Sequence, residues 1–326
     1  MLDKYGRNID YLRISITDKC NLSCIYCAPL KKNNIVNNSS EMSIEHIIRI
    51  CKLFSTVGIN HFKITGGEPL MRNDVAHLVR EIKGFHTNPT VTITTNGVLL
   101  GKYLDELYSA GIDAINISLD SLSKEKYQEI SGQNFLNIVL KNIHKAIDYK
   151  SFKVKINSVI LDNYNEITSL ANLAKENNID VRFIEMMPIG TGRNFQFISE
   201  QEIKNTLENN FGIPEKISDK IGNGPSRYFK YPHFKGLIGF ISAISHGFCS
   251  QCNKIRLTSD GYLKGCLQFA SNVNLKNILN KNYSDDEITN IIKDSIYNKP
   301  EKHLFNSDLN YDEKNIELEQ MKKIGG

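Results

Sequence analysis

Short apolar, β-branched runs alternate with stretches of helical periodicity through the first two thirds of this 326-residue sequence, and nothing else in it restricts the fold as much. The strand-like runs are 11–17, 61–65, 90–95, 114–119, 153–160 and 180–185. Between the first two, Ile44, Ile47, Ile48, Cys51, Phe54 and Val57 follow an i, i+3, i+4, i+7 pattern. That spacing predicts an amphipathic helix starting at Ser43, with Cys51 as a buried core thiol on its apolar stripe. Similar helices fit 74–83, 102–110, 136–149 and 164–177. Six βα units in a row imply a parallel sheet with helices outside, either doubly wound or a barrel.

The pattern changes near residue 210. Gly222-Asn223-Gly224-Pro225 marks a loop, and 235–243 and 255–258 read as strands. Ser259-Asp260-Gly261 is a turn between Arg256-Leu257-Thr258 and Tyr262-Leu263-Lys264, which predicts a hairpin. Short helices fit 273–279 and 285–297, and the stretch from Lys299 is polar. The chain therefore divides into regions 1–215 and 216–326.

With 40% hydrophobic and 23% charged residues, the sequence belongs to the ordinary globular class, which excludes wholesale disorder and fibrous architectures. A net charge of +4 is too mild to argue for nucleic acid, although it suits an anionic small substrate if the basic groups converge. The most apolar window, 236–245, is far shorter than a membrane span, and residues 1–7 lack the apolar stretch of a secretory signal. The seven cysteines cluster as three, one and three. That distribution disfavours a disulfide framework and favours metal or redox chemistry, so a soluble, cytoplasmic protein is expected.

Cys20, Cys24 and Cys27 form a C-x3-C-x2-C run directly after the first strand. Three thiolates in one tight loop can hold three irons of a [4Fe–4S] cube and leave the fourth iron open to an external ligand. The alternatives are a zinc site, for which His46 is the nearest histidine, and three unrelated thiols. Gly66-Gly67-Glu68-Pro69 follows the second strand, and Thr94-Thr95-Asn96-Gly97 and Ser118-Leu119-Asp120 end the third and fourth, at the rim where barrel sites are built. The cysteine run, with Tyr26 before its last member, resembles the signature of the radical S-adenosylmethionine (SAM) enzymes. That resemblance implies α/β architecture in the form of a partial (β/α)6 TIM-like barrel, here with a C-terminal cluster-binding extension. In such enzymes the open iron chelates SAM, and one electron cleaves it to methionine and a 5′-deoxyadenosyl radical.

Cys249, Cys252 and Cys266 form a second triplet, C-x2-C-x13-C, whose last cysteine comes from the far arm of the hairpin. Alone it reads as readily as zinc, with His246 available as a fourth ligand. Both triplets together, spanning nearly the whole chain, resemble the GTP 3′,8-cyclase family of molybdenum-cofactor biosynthesis. Residues 13–20 (RISITDKC) resemble that family's LRxSxTxxCN segment, 248–261 its FCxxCxRxRLxxDG segment, and Gly224-Pro225 its GP loop. Ile324-Gly325-Gly326 resembles the family's diglycine, which reaches into the active site.

The resemblance implies two [4Fe–4S] clusters, on Cys20, Cys24 and Cys27 and on Cys249, Cys252 and Cys266. It implies SAM contacts from Tyr26, Gly67, Ser118 and Met187. GTP contacts would come from Arg13, Lys63, Thr94, Lys155, Lys254, Ile255 and Arg256, and no catalytic residue is assigned beyond these ligands. Arg182 is a further candidate to face the site. No G-x4-G-K-[ST] loop is present, so converging lysines and arginines must offset the triphosphate. The family usually has arginine at Lys63 and Lys254, and lysine keeps the charge but loses the fork. Implied partners are GTP, an external one-electron donor and a downstream cyclic pyranopterin monophosphate synthase; no nucleic acid or membrane is expected, and a homodimer is allowed. The competing readings are a radical SAM peptide-modifying enzyme and a non-catalytic zinc protein.

Overall fold

The computed structural model describes residues 1–27, 41–161, 164–196, 198–219, 221–305 and 321–325. Six strands, β1 (Tyr11–Ser15), β2 (His61–Thr65), β3 (Thr90–Thr95), β4 (Ala114–Ser118), β5 (Lys153–Val159) and β6 (Asp180–Ile184), lie side by side in chain order and all parallel. The connections carry α1 (Ile44–Thr56), α2 (Val75–Lys83), α3 (Leu100–Ser109), α4 (Lys124–Ser131), α5 (Leu136–Ile147) and α6 (Tyr164–Glu176). Helix α1 starts where expected, with the Ser43 side chain accepting from the His46 amide at 3.2 Å. Its stripe is buried against the sheet, and Cys51 is fully enclosed.

After β6 come α7 (Glu200–Phe211), β7 (Glu215–Lys216), β8 (Arg227–Lys230), β9 (Ile238–Ile241), β10 (Lys254–Leu257), β11 (Leu263–Lys264), α8 (Leu275–Leu279), α9 (Asp285–Tyr297) and α10 (Met321–Ile324). These strands join the same sheet. β10 pairs parallel to β1 and β9 parallel to β6, so the order runs β11-β10-β1-β2-β3-β4-β5-β6-β9-β8-β7. The outermost strands, β11 and β7, do not meet, so the barrel is partial and open. The expected hairpin is present, with Leu257 opposite Leu263 and a left-handed Gly261 (φ +94°) in its turn.

Parallel strands covered on both faces usually read as continuous apolar runs. Here they alternate. Leu12, Ile14, Phe62, Ile64, Val91, Ile93, Ile115, Ile117, Val154, Ile156, Val181 and Phe183 point outward into one core shared with the helices. The intervening residues face inward and are largely polar: Arg13, Ser15, Lys63, Thr92, Thr94, Asn116, Lys155, Asn157 and Arg182. An apolar outside and a polar inside mean that the concave face is built to hold something hydrophilic.

Helices α4, α7 and α10 and strands β7 and β8 fall outside the elements expected from sequence. Helix α4 buries only Tyr127 and Ser131, and α7 only Glu200, Ile203 and Leu207, so neither carries an apolar stripe wide enough to show periodicity. Among the described residues no helix is long and apolar enough to cross a membrane.

Candidate active site

Strand β1 runs out into the loop that carries Cys20, Cys24 and Cys27. On one side this loop is pinned to the turn after β2, where the Gly67 amide donates to Thr17 O at 2.7 Å and the Glu68 amide to Lys19 O at 2.8 Å. A β-carbon on Gly67 would stand 2.3 Å from Lys19 O, so the glycine is required by the loop backbone lying against it. On the other side Ser23 N and Ile25 N donate to the Ser131 and Ile130 carbonyls at the end of α4, at 2.9 and 3.0 Å. Cys20 Sγ accepts from the Leu22 amide at 3.4 Å and from Asn96 Nδ2 at 3.8 Å. Burial pushes the Cys24 thiol well above its ordinary value and Cys27 up to about 11. Three such thiols become thiolates only when a cation replaces their protons, which fits an iron cluster.

Tyr26 donates its hydroxyl proton to Asp120 Oδ2 at 2.6 Å, and Asp120 Oδ1 accepts from the Val159 amide at 2.8 Å. Burial raises the Asp120 carboxyl to about 6 against these two donors. Cys24, Tyr26, Asn96, Ser118, Asp120 and Tyr127 line a cavity beside the triplet, which therefore brings two of the four expected SAM residues together. Gly67 is outside this lining and sets the loop from the β2 side. Met187 is also outside it, on the segment after β6 that is tied to the cysteine loop by a 2.7 Å bond from Thr191 Oγ1 to Tyr26 O.

Sheet register gathers the expected GTP residues. Arg13 lies opposite both Lys63 and Arg256, Tyr11 opposite Lys254, and Asn116 opposite Lys155, so these cations share the concave face with Arg182. Lys63, Lys155 and Arg182 are buried. Burial pushes Lys63 well below its ordinary range, and Arg182, Arg13, Lys155 and Lys254 push it further. Burial likewise lowers Lys254 to about 8, with Arg256 and Arg13 adding to the effect and Cys252 opposing it. Asp180 answers part of this charge, 3.6 Å from Lys155 Nζ, which also donates to Tyr228 OH at 2.9 Å. Thr94 Oγ1 and Asn157 Oδ1 are buried on the same face without a hydrogen-bond partner among the described residues. Ile255 is the exception: its side chain is on the opposite face, fully enclosed in the core, because it alternates with Lys254 and Arg256 along β10.

Cys249 and Cys252 precede β10 in a short 3-10 turn, Cys249–Gln251, and Cys266 follows β11, so the hairpin closes the second triplet. Cys249 Sγ accepts from the His303 amide at 3.4 Å. Burial raises Cys252, but Lys299, Lys254 and Arg256 bring it to a net lowered value. All six triplet thiols are free. His246, offered above as a zinc ligand, is 3.4 Å from Glu200 Oε2 through Nδ1. Two thiol triplets thus flank one cationic lumen.

A profile of the Radical SAM superfamily matches residues 14–176, and one described as Molybdenum Cofactor Synthesis C matches 179–305. A GTP 3′,8-cyclase of Clostridium perfringens (strain 13 / Type A) is 43% identical over the full length of both chains. The chain belongs to the GTP 3′,8-cyclase family. Another member, from Petrotoga mobilis, is 40% identical, again over the full length of both. Among solved structures, Streptococcus suis SuiB bound to S-adenosylmethionine superposes with a TM-score of 0.59 at 17% identity, covering 80% of this chain and 60% of SuiB; the likeness is one of fold. Membership brings SAM and iron–sulfur clusters as the family's cofactors, and the two triplets and the cavity described above are chemically suited to them.

Several residues of the site were not assigned from sequence. Glu68 is fully buried, and its carboxylate accepts from Leu70 N at 3.1 Å, Thr95 Oγ1 at 2.7 Å and Asn96 N at 2.7 Å, joining the ends of β2 and β3. Asp120 and Asn96 lay inside quoted motifs, but only the fold shows what they hold. Of the expected diglycine, Gly325 has its carbonyl accepting from Arg256 Nη1 at 3.0 Å, and a β-carbon built there would meet Thr65 and Ser15. Gly326 lies outside the described residues.

Proposed function

We infer that the chain is a radical SAM lyase that converts GTP to (8S)-3′,8-cyclo-7,8-dihydroguanosine 5′-triphosphate in molybdenum-cofactor biosynthesis. The observation that carries this reading is the convergence of Arg13, Lys63, Lys155, Arg182, Lys254 and Arg256 on one concave face between two thiol triplets. When bound, the clusters and SAM would supply a 5′-deoxyadenosyl radical to take the ribose C3′ hydrogen; C3′ would then bond to C8 of guanine, and one further electron from the external donor with one proton would complete the 7,8-dihydro product.

Within this reading Cys20, Cys24 and Cys27 hold the SAM-binding cluster, and Cys249, Cys252 and Cys266 hold the substrate-side cluster. Tyr26 and Ser118 border the SAM cavity, Met187 would reach SAM from the segment that Thr191 ties to the cysteine loop, and Gly67 keeps that loop in place. The inner cations neutralise the triphosphate, which carries about four negative charges, and Thr94 supplies to the same ligand a hydroxyl that has no partner among the described residues. Lys155 is held by Asp180 and Tyr228, so it is aimed before the ligand arrives. Gly325 lies against the Ser15 and Thr65 face and helps close the lumen to water. Ile255 contributes packing that sets the Lys254 and Arg256 side chains inward.

We further propose that an external one-electron donor serves the first cluster, that a cyclic pyranopterin monophosphate synthase takes the product, and that the enzyme works in the cytoplasm, with a homodimer as its assembly. Residues 1–215 would carry SAM chemistry and 216–326 the second cluster and part of the substrate site. Changing Cys266 to Ala tests the division of labour. The variant is expected to release 5′-deoxyadenosine yet form no cyclic nucleotide, and undiminished cyclisation would refute it.

A further inference from the structure

Arg7 is buried at the far end of the chain from the second triplet, yet its guanidinium is fastened to it. Nη1 donates to Cys249 O at 2.9 Å and to Glu301 O at 2.6 Å; Nη2 donates to Pro300 O at 2.7 Å and, at 3.5 Å, to Lys299 O. Nε donates to Asp3 Oδ2 at 2.6 Å, and Asp3 Oδ1 in turn accepts from the Tyr5 and Arg7 amides at 3.0 and 2.9 Å. Both partners of this ion pair are buried.

The carbonyls that Arg7 collects belong to a segment that crosses the second triplet. In residues 299–304, Lys299 Nζ donates to the Gly265 carbonyl, the His303 amide to Cys249 Sγ at 3.4 Å, and the Leu304 amide to Gln268 Oε1 at 2.6 Å. Both ends of the segment thus hold the loop around Cys266, at Gly265 and Gln268, and His303 between them holds Cys249. Four carbonyl oxygens turned toward one point repel one another unless a donor with several divergent N–H groups sits among them, and guanidinium has that fork whereas ammonium does not. Burying an ion pair is costly and seldom adds stability by itself, so a pair that collects strap and cysteine backbone together has its value in fixing geometry. Its charges cancel, so it acts on the cysteine through position.

We propose that Arg7 is the positioning residue of the C-terminal cluster site: it locks the Cys249 backbone to the 299–301 strap, so that the second triplet keeps the spacing needed to retain its cluster. This rests on the reading that Cys249, Cys252 and Cys266 hold a cluster. The test uses the full chain with Cys20, Cys24 and Cys27 changed to Ala, so that bound iron reports the second site alone. After anaerobic reconstitution this parent is expected to hold about four irons. Adding Arg7→Lys, which keeps the charge opposite Asp3 but loses the fork, is expected to speed iron loss to a chelator at least about tenfold, in line with outer-shell changes at metal sites. Hydrogen exchange should also rise at 299–304 while the β1–β6 amides keep their protection. A parent without iron would overturn the cluster reading and the proposal with it. A parent with four irons whose Arg7→Lys derivative loses them no faster would overturn the proposal alone, whatever the exchange at the strap. Should Arg7→Lys fail to fold by circular dichroism, Lys299→Met unfastens the strap from Gly265 with Arg7 intact; faster iron loss supports the positioning role and unchanged loss refutes it.

Discussion

A β-carbon on Gly67 would stand 2.3 Å from the Lys19 carbonyl oxygen and 2.8 Å from its carbon, both rigid backbone beside Cys20. Gly67→Ala is therefore expected to shift the cysteine loop and lose the iron of the first triplet, while iron on the second is kept; metal analysis in single-triplet backgrounds measures this. Glu68, two atoms' reach away in the same turn, is expected to show itself through pH. Burial raises its carboxyl from 4.5 to about 7, so the folded state retains a proton that the unfolded chain has released. Its contribution to stability is greatest below about 4.5 and declines as pH rises to about 7, by on the order of 3 kcal/mol. Urea denaturation of the iron-free protein across that window should show the decline, and Glu68→Gln should flatten it. Tyr26→Phe, which leaves Asp120 with the Val159 amide alone, is expected to cost about 1–3 kcal/mol in the same measurement.

At the scale of elements, β1, β2, β5, β6 and β10 each deliver one or two cations to the concave face, and burial, with their mutual repulsion added to it, depresses Lys63 and Lys254. An arriving polyanion relieves it, so GTP binding near pH 8 is expected to take up protons, read by calorimetry in buffers of different ionisation enthalpy. Lys63→Arg and Lys254→Arg should each reduce that uptake, because guanidinium stays charged throughout; uptake unchanged in both variants would contradict the cationic-lumen account. The βα alternation was legible because Ile14, Ile64, Ile93, Ile115, Ile156 and Val181 mark one face of each of the six strands. The short strands β7 and β8 and the polar helices α4 and α7 were not, since their positions are decided by neighbours distant in sequence. Cysteine spacing revealed both triplets, and motif likeness revealed the inner cations. The distant partners of Glu68, Asp120 and Arg7 had no local signal, because the bonds to Thr95, Tyr26 and Glu301 span 27, 94 and 294 positions. Ile255 was grouped with its neighbours by motif, whereas strand alternation alone would have turned it away from them.

Across the whole molecule, the sheet that begins as six sequential units is extended at both ends by strands of the second region, which is how a cysteine hairpin far along the chain comes to lie beside β1. Helix α10 bridges the two cysteine regions: the Lys322 backbone and charge draw the Cys27 thiol down against its burial, Lys323 Nζ is 3.0 Å from Asp260 Oδ2, and Gly325 accepts from Arg256. Gly325 has φ +82°, and a β-carbon there would meet Thr65 Cγ2 at 2.8 Å. Gly325→Val is expected to suppress cyclisation while both triplets keep their iron, which product analysis with metal counting would show. The most direct measurement is an anaerobic incubation of the reconstituted protein with GTP, SAM and dithionite, followed by mass spectrometry. The account predicts 5′-deoxyadenosine together with a cyclic nucleotide derived from GTP. Cleavage of SAM with GTP left intact would contradict the substrate, and a colourless protein that cleaves neither would contradict the radical chemistry itself.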